Sequence, residues 1–244
     1  MTAAQLWFLA PASALFLGLL ALVPLGAQVL ERGVVFIDLA VAQAAACAVL
    51  WAGTLVDQPL FWQTQLLAST GALACSAAVA GFSRRWPQQR EALIGLLYVL
   101  GASAALLGAQ KNPQGREHLS QLLAADVLWS SWPQVALLAL CAMLVLALRR
   151  QLGRDAVFFP LFALVASFAV PVLGLLLVFA LLIAPALWLR LSARPSAVWA
   201  ASLGSCALAL ALSWHEDLPS GACTVLCLAV LGLLSAFKRR PAGR

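Results

Sequence analysis

The chain has 244 residues, 64% of them hydrophobic and only 10% charged, with a mean hydropathy of +0.97. Soluble globular domains carry about 25% charged residues, so this composition excludes a soluble enzyme and specifies a polytopic membrane protein. The net charge of +6 is distributed in short clusters between apolar runs, which is the pattern of topological signals and not of a nucleic-acid surface.

The first apolar run, about residues 6–30, has neither a basic leader nor a small-residue cleavage site. It reads as a membrane helix and not as a signal peptide. Further runs lie near 34–55, 61–82, 92–109, 132–148, 196–214 and 219–237, each close to the roughly 20 residues that span a bilayer. The second run carries one carboxylate, Asp38, where an unpaired charge costs about 2.5–3.5 kcal/mol at mid-membrane and less near the end. Arg32 or Glu31 is available to share a polar network with it, as an interfacial cap or an interhelix bond. Alternatively Asp38 faces a polar pathway for a cation. Its companion on the same helix face is residue 42, here Ala42. Gln43 lies on a different face.

Residues 111–129 form the longest polar segment, with Glu117 and His118 adjacent and Asp126 eight residues beyond His118. That spacing suits a short interfacial helix, ending in Trp129 and Trp132 as belt anchors, better than a joint metal site. Its outer position makes it a docking surface for a partner. The run 156–190 is too long for one crossing. At 1.5 Å per residue it would reach about 52 Å, against a hydrocarbon core of about 30 Å, and it holds Pro160, Pro171, Gly174 and Pro185.

Charge bias decides how often that run crosses. The connections with Arg32, with Arg84, Arg85 and Arg90, and with Arg149, Arg150 and Arg154 alternate with poorer ones at Asp57 and at Lys111/Arg116. Basic loops stay in the cytoplasm. Two crossings, turning near Pro171–Gly174, put Arg190, Arg194 and Lys238–Arg240 inside and residues 215–221 outside; one crossing would reverse all of them. The expectation is nine crossings, the N-terminus outside, the C-terminus in the cytoplasm, and a single all-helical domain over 1–244. Because 156–190 divides into two short segments, a broken or re-entrant pair is expected there. His215, Glu216 and Asp217 read as a solvated turn, with Asp217 or Ser220 capping the last helix. The six cysteines lie in apolar runs and read as packing residues. No nucleotide-binding glycine loop, HExxH or Ser–His–Asp arrangement is present.

The C-terminal half, "VPVLGLLLVFALLIAPALWLRLSARPSAVW" followed by Ser213 and "DLPSG" (217–221), resembles the membrane permeases of the zinc/manganese-type ABC importers. "PLGAQVLERGVVFIDLAVAQ" (24–43), "REALIGLLYVLGASAALL" (90–107) and "GREHLSQLLAADVLW" (115–129) are similar to further segments of that family. More distantly the layout resembles cobalamin and iron-siderophore permeases. The family usually has Asp-x-x-x-His in its second helix; here Asp38 is followed at that spacing by Ala42.

The resemblance implies an all-α, type II ABC importer-like bundle in the bacterial cytoplasmic (inner) membrane. It implies that a permease homodimer forms the pathway, that cytoplasmic ATPase subunits bind and hydrolyse the ATP, and that an extracytoplasmic binding protein delivers the cargo. That cargo is a divalent transition metal, zinc or manganese, with no permanently bound cofactor and no catalytic residue in this chain. Asp38 and Gln43 would line the pathway, with Asp38 touching the metal. Trp188, Leu189, Arg190, Ser192 and Arg194, in a coupling helix over 188–198, would meet the ATPase. Glu117, His118, His215 and Asp217 would face the binding protein. Alternative readings are a permease for a metal chelate, siderophore or cobalamin-like cargo, a secondary transporter, and a membrane scaffold.

Overall fold

The structure, a computed structural model, describes residues 8–54, 60–111, 115, 127–191 and 194–237. Among the described residues there are nine α-helices: α1 (Leu9–Arg32), α2 (Ile37–Ala52), α3 (Phe61–Arg85), α4 (Arg90–Lys111), α5 (Trp132–Leu148), α6 (Asp155–Leu173), α7 (Leu175–Leu191), α8 (Pro195–Glu216) and α9 (Ser220–Phe237). Short 3₁₀ turns at Val127–Trp129 and Arg149–Gln151 flank α5. Helices α1, α3, α4, α5, α6 and α8 are long and apolar enough to cross a membrane, whereas α2, α7 and α9 are shorter apolar helices. The chain is thus a multi-pass membrane protein, and its helices fall on the apolar runs of the sequence.

The long run 156–190 breaks at one residue. Gly174 takes φ 80° and ψ 151°, a conformation open to glycine and closed to side chains with a Cβ. Helical bonding resumes at once, with Val178 N–H donating to Gly174 O. Pro171, inside α6, has no N–H, which strands the carbonyl four residues earlier. That carbonyl belongs to Ser167, and the Gln65 amide Nε2 of α3 donates to it at 3.2 Å. The neighbouring helix therefore supplies the hydrogen bond that the proline removes.

Both limbs of this V return to the same end of the bundle. At the foot of α6, Asp155 pairs with Arg32 of α1; at the foot of α7, Arg190 Nη1 donates to Leu30 O of α1 at 3.2 Å. Helix α1 fills the V, with Gly18 facing Leu173 on one limb and Leu181 on the other. Further along, α1 and α7 approach so closely that a Cβ on Gly26 would lie 1.9 Å from Leu182 O. Lipid tails are as apolar as leucine, so close packing of this kind does much of the work of holding membrane helices together.

The core is centred on α1, α6 and α7, where Leu15, Leu19, Leu22, Phe158, Phe162 and Leu177 are fully buried. Helices α2, α3 and α4 pack together on one side, joined to the core through α3 against α6, and α9 and α8 pack outside α7. The outer helices turn Leu100 and Leu107 (α4), Met143 (α5), Leu208 (α8) and Leu226 and Leu233 (α9) outward. An apolar exterior of this kind is what lipid solvates.

Two local expectations are corrected. Trp188, Leu189 and Arg190 belong to the last turn of α7, and Val198 to the first turn of α8. The expected coupling helix is therefore divided between the end of α7, which runs through Arg190 to Leu191, and the start of α8. Asp217, expected at the start of α9, terminates α8 in the left-handed conformation, φ 51°, with its N–H on Ser213 O. The six cysteines are all free.

Candidate translocation site

One end of the bundle gathers the arginines. Arg32 Nε meets Asp155 Oδ1 at 3.2 Å, while its Nη2 donates to Leu152 O and Gly153 O, each at 2.9 Å. Its guanidinium carbon also stands 4.3 Å from the centre of the Phe158 ring, and Nη1 donates to Gln28 Oε1. Arg84 of α3 pairs with the other oxygen of Asp155 at 3.6 Å. Next to them, Val35 N–H donates to Glu91 Oε1 at 2.8 Å, and the Arg90 guanidinium lies against Gly33. This one end thus collects Arg32, Arg84, Arg90, Arg190 and the turn 149–154.

Asp38 sits in the first turn of α2, on the membrane side of this cluster, and is 1% exposed. The expected network with Arg32 or Glu31 does not form, because Arg32 turns to Asp155 and Glu31 accepts from Gln28. Among the described residues neither carboxylate oxygen of Asp38 makes a hydrogen bond. The positive potential facing it is that of its own helix start, the N–H groups of Asp38 and Leu39. A buried carboxylate left this way is costly and calls for a proton or a cation.

Spacings of 4, 7 and 11 put Ala42, Ala45 and Val49 on the helix face of Asp38. These three line a cavity of about 160 Å3 between α2, α3 and α6. Its polar lining is Thr64, Gln65 and Ser167, and Ser167 Oγ lies 3.1 Å from Ser69 Oγ. The cavity begins one helical turn beyond Asp38 and extends toward the end opposite the arginines. Gln43 is elsewhere, with its Cβ against Gly101 of α4, so the structure does not bring Asp38 and Gln43 together. The sequence reading noted Ala42 as a non-ligand; its part in lining a cavity only emerges once α3 and α6 are in place.

At the opposite end, Trp51 Nε1 donates to Ala104 O at 2.9 Å and Lys111 Nζ stands 5.0 Å over the Trp51 ring. Here a cleft of about 890 Å3 opens between the start of α1, the 127–132 segment and the α8–α9 corner. Asp217 lines it, while His215 Nδ1 pairs with Glu216 Oε1 at 2.8 Å on the exposed flank. Trp129, Trp132 and Trp214 line it too. Sequence reasoning took the first two as belt anchors and gave Trp214 no role, since nothing in the spacing shows that they converge. Of the remaining expected residues, Trp188 and Leu189 are half-buried and Arg190 and Arg194 are exposed. Glu117, His118 and Ser192 lie outside the described residues.

Residues 153–239 match the family model described as the ABC 3 transport family. Among solved structures the chain is similar to "PsaBC from Streptococcus pneumoniae in complex with Fab", at 16% identity and a TM-score of 0.71, over 93% of this chain and 89% of that one. At that identity the likeness is one of fold. No curated protein matches the chain.

Proposed function

We propose that the chain is the permease subunit of an ATP-driven importer of a divalent transition metal, zinc or manganese, a reading supported by the match of residues 153–239 to the ABC 3 transport family. The observation that carries this reading is the V of α6 and α7 inside the family segment, with both feet on the arginine-rich end. By charge bias that end is cytoplasmic. The N-terminus then lies outside and the C-terminus inside, in the inner membrane of a bacterium.

The division of labour follows from the two ends. ATPase subunits dock at the cytoplasmic end, around the corner that holds Trp188, Leu189, Arg190, Ser192 and Arg194. A binding protein docks at the outer end, on the side of Glu117, His118, His215 and Asp217. Two copies of this chain, each a single permease domain over 1–244, enclose the pathway. Asp38 supplies the one buried anionic group on the cavity face among the described residues and receives the cation, and Gln43 steadies α2 against α4. A pathway must release what it binds, and a site with a single carboxylate does so readily.

The test is uptake by proteoliposomes holding the permease, its ATPase and its binding protein. Asp38→Asn lowers uptake of the metal at least tenfold and leaves basal ATP hydrolysis within a factor of two. Uptake by Asp38→Asn equal to that of the unaltered complex refutes the pathway role. Absence of metal uptake by the unaltered complex refutes the importer reading itself.

A further inference from the structure

The outer cleft, about 890 Å3, has the volume of roughly thirty waters at about 30 Å3 each, far more than a bare metal ion requires. Its walls are aromatic. Trp129, Trp132 and Trp214 come from three different elements, yet all line this one space, and they are 85%, 58% and 67% exposed. Indoles serving only as membrane anchors have no reason to converge on a common hollow. Exposed tryptophans around a concavity are instead characteristic of interface hot spots.

Asp217 is the one acidic residue among the described lining. Its position is fixed at both sides: its own N–H is bonded to Ser213 O, and Ser213 Oγ–H donates to Leu218 O at 2.6 Å. The cleft therefore offers aromatic surface and one carboxylate carried on a backbone corner that these bonds hold. A flat, weakly hydrated cation suits that combination best, and the guanidinium group is the side chain of that kind. The described arginines crowd the other end of the bundle, so a basic partner is repelled there and accepted here.

We infer that the outer cleft seats a basic side chain, arginine in preference to lysine, presented by the extracytoplasmic binding protein when it docks. This rests on the importer reading above and adds to it the chemistry of the partner's contact surface.

The experiment uses the complete complex in nanodiscs and, as probe, the binding protein that supports uptake in proteoliposomes, with Kd measured by biolayer interferometry across a salt series. Asparagine tolerates the left-handed conformation, so Asp217→Asn removes the charge and keeps the corner. Asp217→Asn is expected to raise Kd about tenfold and to flatten its salt dependence, as loss of a charge pair at an interface does. Asp217→Lys is expected to abolish binding, and Trp129→Ala to weaken it about fivefold, in the range of one lost cation–π contact. Glu31→Gln, at the far end, leaves Kd unchanged. Asp217→Asn with unaltered Kd and salt slope overturns the inference and leaves the importer reading standing. So does a Trp129→Ala complex that inserts or melts differently but binds normally, since that is the behaviour of a membrane anchor. No binding by the unaltered complex overturns the inference, whereas the importer reading falls only with absence of uptake in proteoliposomes.

Discussion

Substituting Gly26 by alanine is a direct test of how tightly α1 lies in the V. The added Cβ would sit 1.9 Å from Leu182 O, 2.8 Å from Leu182 C and 3.1 Å from Leu182 Cα. The shortest ordinary C···O contacts are about 3.3 Å, so the two helices must separate by roughly 1.4 Å along that direction. The obstacle is backbone, so no rotamer change relieves it. Overpacking of a filled core costs about 1–3 kcal/mol, and a backbone clash belongs at the top of that range. The higher helix propensity of alanine returns about 1 kcal/mol, leaving a net loss near 2 kcal/mol. For a chain of this length that corresponds to a Tm lower by about 4–8 °C. The assay is thermal unfolding of the purified protein in one detergent, with Gly81→Ala and Gly95→Ala as controls. An added Cβ at those two positions meets nothing within 4 Å, so both should melt at or slightly above the unaltered temperature. A Gly26→Ala protein that melts with the controls would refute the close α1–α7 approach and the wedged V with it.

Other predictions follow from named contacts. Gln65→Leu strands the Ser167 carbonyl and should cost about 1 kcal/mol, the scale of a hydrogen bond between membrane helices; in a Pro171→Ala background, where residue 171 regains an N–H, the same change should cost markedly less. Equal costs in a double-mutant cycle on thermal unfolding would show that the amide is not replacing the lost helix bond. Arg32→Ala removes a half-buried hub and should destabilise by about 2–3 kcal/mol. Asp155→Asn, whose side chain is 41% exposed, should cost under about 1 kcal/mol, and a reversed order in thermal unfolding would contradict the assigned geometry. Because all six cysteines are free, reductant should shift neither the Tm nor the non-reducing gel mobility of the purified chain.

The fold was largely legible because bilayer physics acts on hydropathy alone. The run 156–190 was too long for one crossing, and Gly174 with Pro171 beside it marked where it breaks. Long-range pairing was not legible. Arg32 and Asp155 are 123 positions apart, and Arg32 had a nearer candidate partner in Asp38. Asp38 was visible as an anomaly in an apolar helix, but that its oxygens lack partners depends on where Arg32 goes. The coupling segment was misjudged because a basic residue such as Arg190 looks the same in a sequence whether it ends a membrane helix or opens a surface one. The aromatic cleft escaped notice for a similar reason. Trp129, Trp132 and Trp214 each satisfy the rule for a bilayer boundary, and only their convergence distinguishes them.

The family match covers the last part of the chain, yet α1, near its beginning, occupies the space between α6 and α7. Gly18 and Gly26 are thus answerable to side chains and backbone more than 150 positions away. An exchange of the C-terminal segment between relatives would inherit a socket shaped for a different plug. Chimaeras of such chains should assemble only when the first helix travels with the V that clasps it.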